Sequence, residues 1–193
     1  LAGLKSIPTG IDHGTITVVS AGIPHELTTF RSDTETDGRH AKVRFSKSIL
    51  EDAARRDFTM NAIYADPAGF VVDPLNGMPD LNARHVRFIG DAEARIREDY
   101  LRSLRFFRFT AWYGDPGLGI DPDGLAAVAA NLDGLEGLSR ERVGSELKKL
   151  MTAANPAMAV AAMRSSGVLH AVLPSADDRA LGPLIHLEQR LNI

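Results

Sequence analysis

Cysteine is absent from the 193 residues, which excludes disulfides and thiolate metal sites and fits a reducing compartment such as the cytoplasm. No apolar run approaches the ~18 residues of a membrane span, and no cationic start followed by an apolar stretch marks a signal peptide. Internal repeats and low-complexity tracts are missing too. The chain starts at Leu rather than Met, from which a longer parent protein is expected. Its net charge of −3 does not by itself indicate a polynucleotide partner, because distribution matters more than total. What is present is a hydrophobic content of 44%, enough to bury a sizeable core in one domain or two small ones.

The structural period changes near residue 80. Thr15 to Val19 and Glu26 to Phe30 are β-rich runs around Ser20-Ala21-Gly22-Ile23-Pro24, which predicts an antiparallel hairpin. Ala62-Ile63-Tyr64 and Phe70-Val71-Val72 form a second pair about the turn Asp66-Pro67-Ala68-Gly69. After about Arg87 the pattern is helical, with helices expected near 91–113, 123–131, 139–153 and 156–166, and a last one running to Ile193. Gly114 to Pro122 reads as a loop, and Pro174 ends another element.

The segment Glu98 to Phe106 carries the strongest chemical signal. At about 100° per residue, Arg95, Glu98, Asp99, Arg102 and Arg105 fall on one arc of a helix, with Ile96, Tyr100, Leu101, Leu104, Phe107 and Ala111 on the other. Phe106 and Phe109 interrupt the polar arc, so another element should cover it near its end. Asp99 and Arg102 become surface neighbours. A carboxylate beside a guanidinium can read a nucleobase edge. Cytosine and adenine both place an exocyclic amino donor next to a ring-nitrogen acceptor, so one rigid pair accommodates both. Uracil and guanine reverse that order and would leave polar groups unpaired at roughly 1–3 kcal/mol each. On spacing alone an ordinary intrahelical ion pair, worth about 0.2–0.5 kcal/mol, is the favoured explanation.

Other stretches change that balance. Arg55-Arg56-Asp57-Phe58-Thr59-Met60-Asn61-Ala62, then Asp73-Pro74-Leu75-Asn76-Gly77, then Glu98-Asp99-Tyr100-Leu101-Arg102-Ser103-Leu104-Arg105-Phe106 resemble the class II tRNA nucleotidyltransferase family, which comprises CCA-adding enzymes and related bacterial poly(A) polymerases. The resemblance starts near Gly3-Leu4-Lys5, runs through Glu26 to Arg31, and remains visible to Glu141-Arg142-Val143-Gly144-Ser145-Glu146-Leu147. It implies an α+β fold: a partial nucleotidyltransferase head with a mixed sheet (1–85), an all-helical neck that recognises the nucleotide base and binds RNA (86–137), and the start of a helical body (138–193). It further implies nucleotidyl transfer to the tRNA 3′ end from CTP and ATP, with Mg2+ as cofactor and no membrane association. The oligomeric state is left open.

By the same resemblance, Arg56, Asp57 and Asn61 contact the nucleotide sugar and triphosphate. Asp99 and Arg102 read the base, Glu98 orients Arg102, and Arg105 contacts phosphate. Asp57 and Asn61, four residues apart, could share a helical face, and Asp57 could equally be a helix cap. Asp33 to Val43, with Asp37, Gly38 and Arg39, is similar to the loop the family uses when specificity changes from CTP to ATP. Its presence favours complete CCA addition, with poly(A) polymerase or a non-catalytic nucleotide- or RNA-binding module as alternatives. Arginines at 84, 87, 95, 97, 102, 105, 108, 140 and 142, with Lys148 and Lys149, become candidates for triphosphate and tRNA backbone contacts.

Two family features are missing. The family's Gly-Gly segment and its metal-binding Asp-x-Asp strand are not found. The only Asp-x-Asp, Asp121-Pro122-Asp123, is better explained as a turn capping a helix. Glu26 matches the family's third acidic position and is the remaining metal-ligand and catalytic candidate; it fits an exposed hairpin glutamate as well. From these gaps the chain is expected to be an inactive fragment, with the strand at Thr15 to Val19 lacking a neighbour on one side.

Overall fold

The computed structural model describes residues 4–10, 14–36 and 41–191, and the chain divides into two compact units, Leu1–Arg55 and Arg56–Ile193. The first unit is built on strands β1 (Lys5–Gly10), β2 (Thr15–Ser20) and β3 (Ile23–Thr28), an antiparallel meander in the order β1-β2-β3. The predicted hairpin is present and tighter than expected. Ser20 pairs with Ile23, and Ala21 and Gly22 both take positive φ, 49° and 80°, the backbone a two-residue turn needs to follow the strand twist. The expected open edge beside Thr15 to Val19 is occupied by β1, with Lys5 opposite Val19. Pro8 and Gly10 had disguised that strand, since both residues are depleted in strands.

Strands β4 (Arg31–Thr36) and β5 (Ala41–Phe45) form a separate antiparallel ribbon. They occupy both ends of the stretch expected to be a loop from Asp33 to Val43. Its polar sequence resembled a loop, but ladder hydrogen bonds come from the backbone and tolerate polar side chains. Asp37, Gly38 and Arg39 lie outside the described residues. Helix α1 (Ile49–Ala54) starts at Ser48, whose Oγ accepts from Glu51 N, and is tied to β4 by the Arg31 N–H donating to Asp52 Oδ1 at 3.2 Å.

The second unit is mainly helical: α2 (Met78–Ala83), α3 (Ala92–Glu98), α4 (Leu101–Tyr113), α5 (Pro122–Ala129), α6 (Arg140–Met151), α7 (Ala157–Ser165), α8 (Val168–Val172) and α9 (Leu181–Leu191), with 3-10 turns at Thr59–Asn61 and Leu132–Gly137 and the small hairpin β6 (Tyr64–Ala65) and β7 (Val71–Val72). Asp121 caps α5, its Oδ2 accepting from Gly124 N at 2.8 Å, as the turn reading of Asp-Pro-Asp requires. The core centres on Phe58, Phe88, Phe106 and Phe107, each at most 3% exposed. Ring centroids of Phe58 lie 5.0 Å from Phe88 and 4.8 Å from Phe109. That cluster explains why residues 56–85 join the helical unit: the backbone at Phe58 bridges Phe88, and the Phe58 side chain plugs the face of α4 that sequence periodicity had marked as polar but covered.

The expected helix over 91–113 is two helices. Asp99 has extended backbone, φ −156° and ψ 105°, and its Oδ1 accepts from Leu101 N at 3.1 Å. Asp99 therefore ends α3 and caps the start of α4, a local side-chain bond competing with helix continuation. Tyr100 fills the corner. A Cβ added at Gly134 would run into the Tyr100 ring, so Gly134→Ala should destabilise the chain by about 1–3 kcal/mol through overpacking, read as a lowered urea midpoint. An unchanged midpoint would mean that Tyr100 is free to move.

Candidate functional site

Helix α4 and its junction with α3 gather most of the residues singled out by sequence. Arg102 donates from Nη1 to Glu98 Oε2 at 2.5 Å and to Arg95 O at 2.9 Å, so the two residues that the sequence reading linked are in contact. Both side chains are mostly buried, 13% exposed for Arg102 and 20% for Glu98. Asp99 is held from elsewhere. Arg142 Nη2, on α6, donates to Asp99 Oδ2 at 2.7 Å. The carboxylate is thus fixed by Arg142 and the Leu101 amide, and stays 31% exposed. Fixing both groups separately keeps their relative geometry when no ligand is present, which lowers the ordering cost of binding any ligand to them.

Three residues further along α4, Arg105 reaches back to Asp57. Arg105 Nε and Nη2 both lie 2.6 Å from Asp57 Oδ2, a bonding pattern only Arg can supply. Asp57 Oδ1 accepts from Phe58 N at 2.9 Å and Asn61 Nδ2 at 2.8 Å. Four donors match the roughly four lone-pair directions of a carboxylate. Asp57 is buried, and it sits in the turn before Thr59–Asn61 rather than on a shared helical face with Asn61. Its carboxylate is therefore committed to holding Arg105 and Asn61. Arg56 donates from Nη1 to Asn61 O at 3.1 Å and lies over the Tyr64 ring at 4.9 Å.

This turn is supported from below. Thr59 Oγ1 donates to Asp80 Oδ2 at 2.5 Å, and Arg87 donates to the same oxygen at 2.8 Å. Burial pushes the Asp80 carboxyl up, but the bonds from Thr59 and Arg87, with the charges of Arg87 and His85, outweigh it and hold the group below the usual aspartate value.

Helix α6 grips α4 at two further points. Arg108 donates to Glu146 Oε2 at 2.5 Å, and the Trp112 indole N–H donates to Lys149 O at 2.7 Å. Arg142 and Glu146, four residues apart, face α4 together. Sequence reasoning had quoted both without giving either a positioning role; their opposite charges at helical spacing were the available signal. Burial works to raise the Glu146 carboxyl, yet Arg108 and Lys149 dominate and keep it below the ordinary glutamate value. With the folded value depressed, its stabilisation is present above the unfolded pKa of about 4.3 and is lost as pH falls through the folded value. Glu146→Gln should lower the urea midpoint at neutral pH and flatten its fall as pH drops below the ordinary glutamate value. A variant whose acid limb matches the parent's would show that Glu146 is not a titrating brace.

Several arginines expected to face phosphates are instead paired with carboxylates: Arg87 with Asp80, Arg95 with Glu98, Arg97 with Glu93, Arg108 with Glu146 and Arg142 with Asp99. Reach across the fold decided the pairs of Arg108 and Arg142, which linear clustering could not show, whereas Arg95 and Arg97 pair within α3. Glu26 belongs to the first unit, on the exposed β3 opposite Thr17. Among the described residues no group of three or more His, Asp or Glu is disposed to hold a metal ion, so these residues do not amount to a metal site. Among the same residues no helix is long and apolar enough to cross a membrane.

Residues 3–87 match the family model "Poly A polymerase head domain", and residues 117–179 match "Probable RNA and SrmB-binding site of polymerase A". The human mitochondrial CCA tRNA nucleotidyltransferase 1 is 46% identical over 151 residues, covering 78% of this chain and 35% of that protein. The CCA-adding enzyme of Geobacillus stearothermophilus is 39% identical over 172 residues, 88% of this chain and 42% of the relative. The chain thus spans about two fifths of such relatives. A crystal structure of the Bacillus stearothermophilus CCA-adding enzyme in complex with CTP superposes with a TM-score of 0.76 at 38% identity, over 85% of this chain and 39% of that one.

Proposed function

Because the chain belongs to the poly(A) polymerase head-domain family, the nucleotidyltransferase family of the CCA-adding enzymes, we propose that the whole protein adds CCA to the 3′ end of tRNA from CTP and ATP. The observation that carries this reading is the pair Asp99 and Arg102, each immobilised by its own partner. A fixed acceptor at the α3–α4 corner and a fixed donor in the first turn of α4 suit the amino and ring-nitrogen edge shared by cytosine and adenine and oppose the reversed edge of uracil and guanine. The CCA-adding relatives and the CTP-bound structure support the same substrates.

The geometry supports the following assignment of residue roles. Asp99 accepts from the base amino group and Arg102 donates to the ring nitrogen; Glu98 and Arg142 are positioning residues. Arg105 and Arg56 face the nucleotide's phosphates, while Asp57 aligns Arg105 with Asn61, leaving the Asn61 amide oxygen for a ribose hydroxyl. The loop at Asp37, Gly38 and Arg39 serves the change from CTP to ATP. By role, residues 1–85 act as head, 86–137 as neck that binds base and RNA, and 138–193 as the start of the body. Transfer in this family is metal-dependent; magnesium is the proposed ion, with Glu26 contributing one ligand. The absence of cysteine supports a cytoplasmic site of action.

The test is addition to tRNA lacking its 3′ end. The whole protein should extend it by three nucleotides with CTP and ATP together and stop after two with CTP alone. Runs of adenosine with ATP alone would instead establish a poly(A) polymerase. The 193-residue chain, whose described residues assemble no metal site, should bind CTP and incorporate none.

A further inference from the structure

The far end of α4, about 15 Å along the helix from Arg102, borders a different cavity. A cleft of about 470 Å³ opens between that end, the turn at Gly114 to Pro116, and the α6–α7 connection. Arg84, Trp112, Asn155 and Met158 line it, and among the described residues Arg84 is the one charged group of the lining, which holds no carboxylate. Arg84 is built in. Its backbone is left-handed, φ 55°, at the end of α2, and its side chain crosses to α4, donating from Nε to Tyr113 O at 3.1 Å and from Nη2 to Gly114 O at 3.0 Å. Carbonyls orient a guanidinium without neutralising it.

Trp112 is anchored by its polar edge, the indole N–H on Lys149 O, while the residue stays 45% exposed. An aromatic ring held rigidly and left open is a stacking surface. Asn155 Oδ1 accepts from Ala157 N at 3.1 Å, which leaves its NH2 to donate to a ligand. The volume lies within the ~300–1,000 Å³ of small-ligand pockets.

We propose that this cleft binds one nucleotide of a single-stranded RNA, its base against Trp112 and its phosphodiester on Arg84. One fixed cation matches the single negative charge of a phosphodiester; a free triphosphate carries several charges and calls for several cations. Stacking on an aromatic ring with a cation on the backbone is how single strands are held with little dependence on sequence. The choice of RNA rests on the RNA-binding reading above, since Asn155 and Met158 fall within the matched segment 117–179.

Trp112 is the chain's single tryptophan, so its fluorescence reports this cleft alone. The 193-residue chain is titrated with a fluorescein-labelled hexaribonucleotide followed by anisotropy, with the unlabelled hexamer followed by tryptophan quenching, and with AMP as the free-nucleotide arm. Saturable quenching should parallel the anisotropy, and the hexamer should bind about tenfold or more tighter than AMP. Arg84→Gln should weaken quenching by about tenfold. Ala154→Phe, at an exposed position of the lining, should block the cleft and abolish quenching while circular dichroism stays native.

RNA bound without quenching, or quenching that survives both substitutions, would overturn the cleft and leave RNA binding standing. No binding at all would overturn both. AMP binding as tightly as the hexamer would overturn the assignment to a strand. No nucleotide transfer is involved, so an inactive chain gives the same answer.

Discussion

Asp57→Ala is expected to destabilise the chain by about 3–5 kcal/mol, the cost of removing one partner from a buried ion pair. The carboxylate is 4% exposed and satisfies the Phe58 amide, the Asn61 side chain and two nitrogens of Arg105. Its loss leaves Arg105 without its counter-charge and frees the turn that carries Asn61. Asp57→Asn retains an oxygen for the Phe58 amide but gives up the charge pairing, so its deficit should be smaller. Urea denaturation of the three proteins should rank them parent, Asn, Ala. In the whole protein both variants should also lose nucleotide addition. Equal stability of parent and Ala variant would show that the Arg105 contact forms only incidentally.

Arg102→Ala should reduce CTP and ATP addition by the whole protein together, by about 10- to 100-fold, the worth of one or two hydrogen bonds from a charged donor. The two nucleotides should fall in parallel because both present a ring-nitrogen acceptor at the same place. Glu98→Gln should do less, since a neutral amide can still accept from Nη1. Steady-state incorporation of each nucleotide onto the appropriate tRNA end checks this. Selective loss of one nucleotide would mean that Arg102 serves the loop change rather than the shared edge.

Local patterns made part of this legible. The turn at Ala21-Gly22, the cap at Asp121 and the covered Phe106 and Phe109 each follow from a few adjacent residues. The break at Asp99 does not, because the apolar residues from Ile96 through Leu104 keep helical period across it and no Gly or Pro marks it. Strand β1 was hidden by Pro8 and Gly10, and α2 and α8 are too short to show a period. The site's clasps were the least visible: Arg105 to Asp57 spans 48 positions and Arg142 to Asp99 spans 43. Only the fold brings such residues together, so sequence identified the groups at the site but not what each one holds.

The central claim is that Asp99 and Arg102 select the base as a unit. Its most direct test is the ratio of CTP to UTP incorporation by the whole protein with Asp99 intact and with Asp99→Ala, measured in competition on tRNA lacking its 3′ end. With the carboxylate present, uracil's carbonyl meets an acceptor and is refused; without it that refusal goes, and the ratio should fall by about tenfold or more. A ratio unchanged by the substitution, with both nucleotides slowed alike, would contradict the claim and reduce Asp99 to a helix cap tied to Arg142.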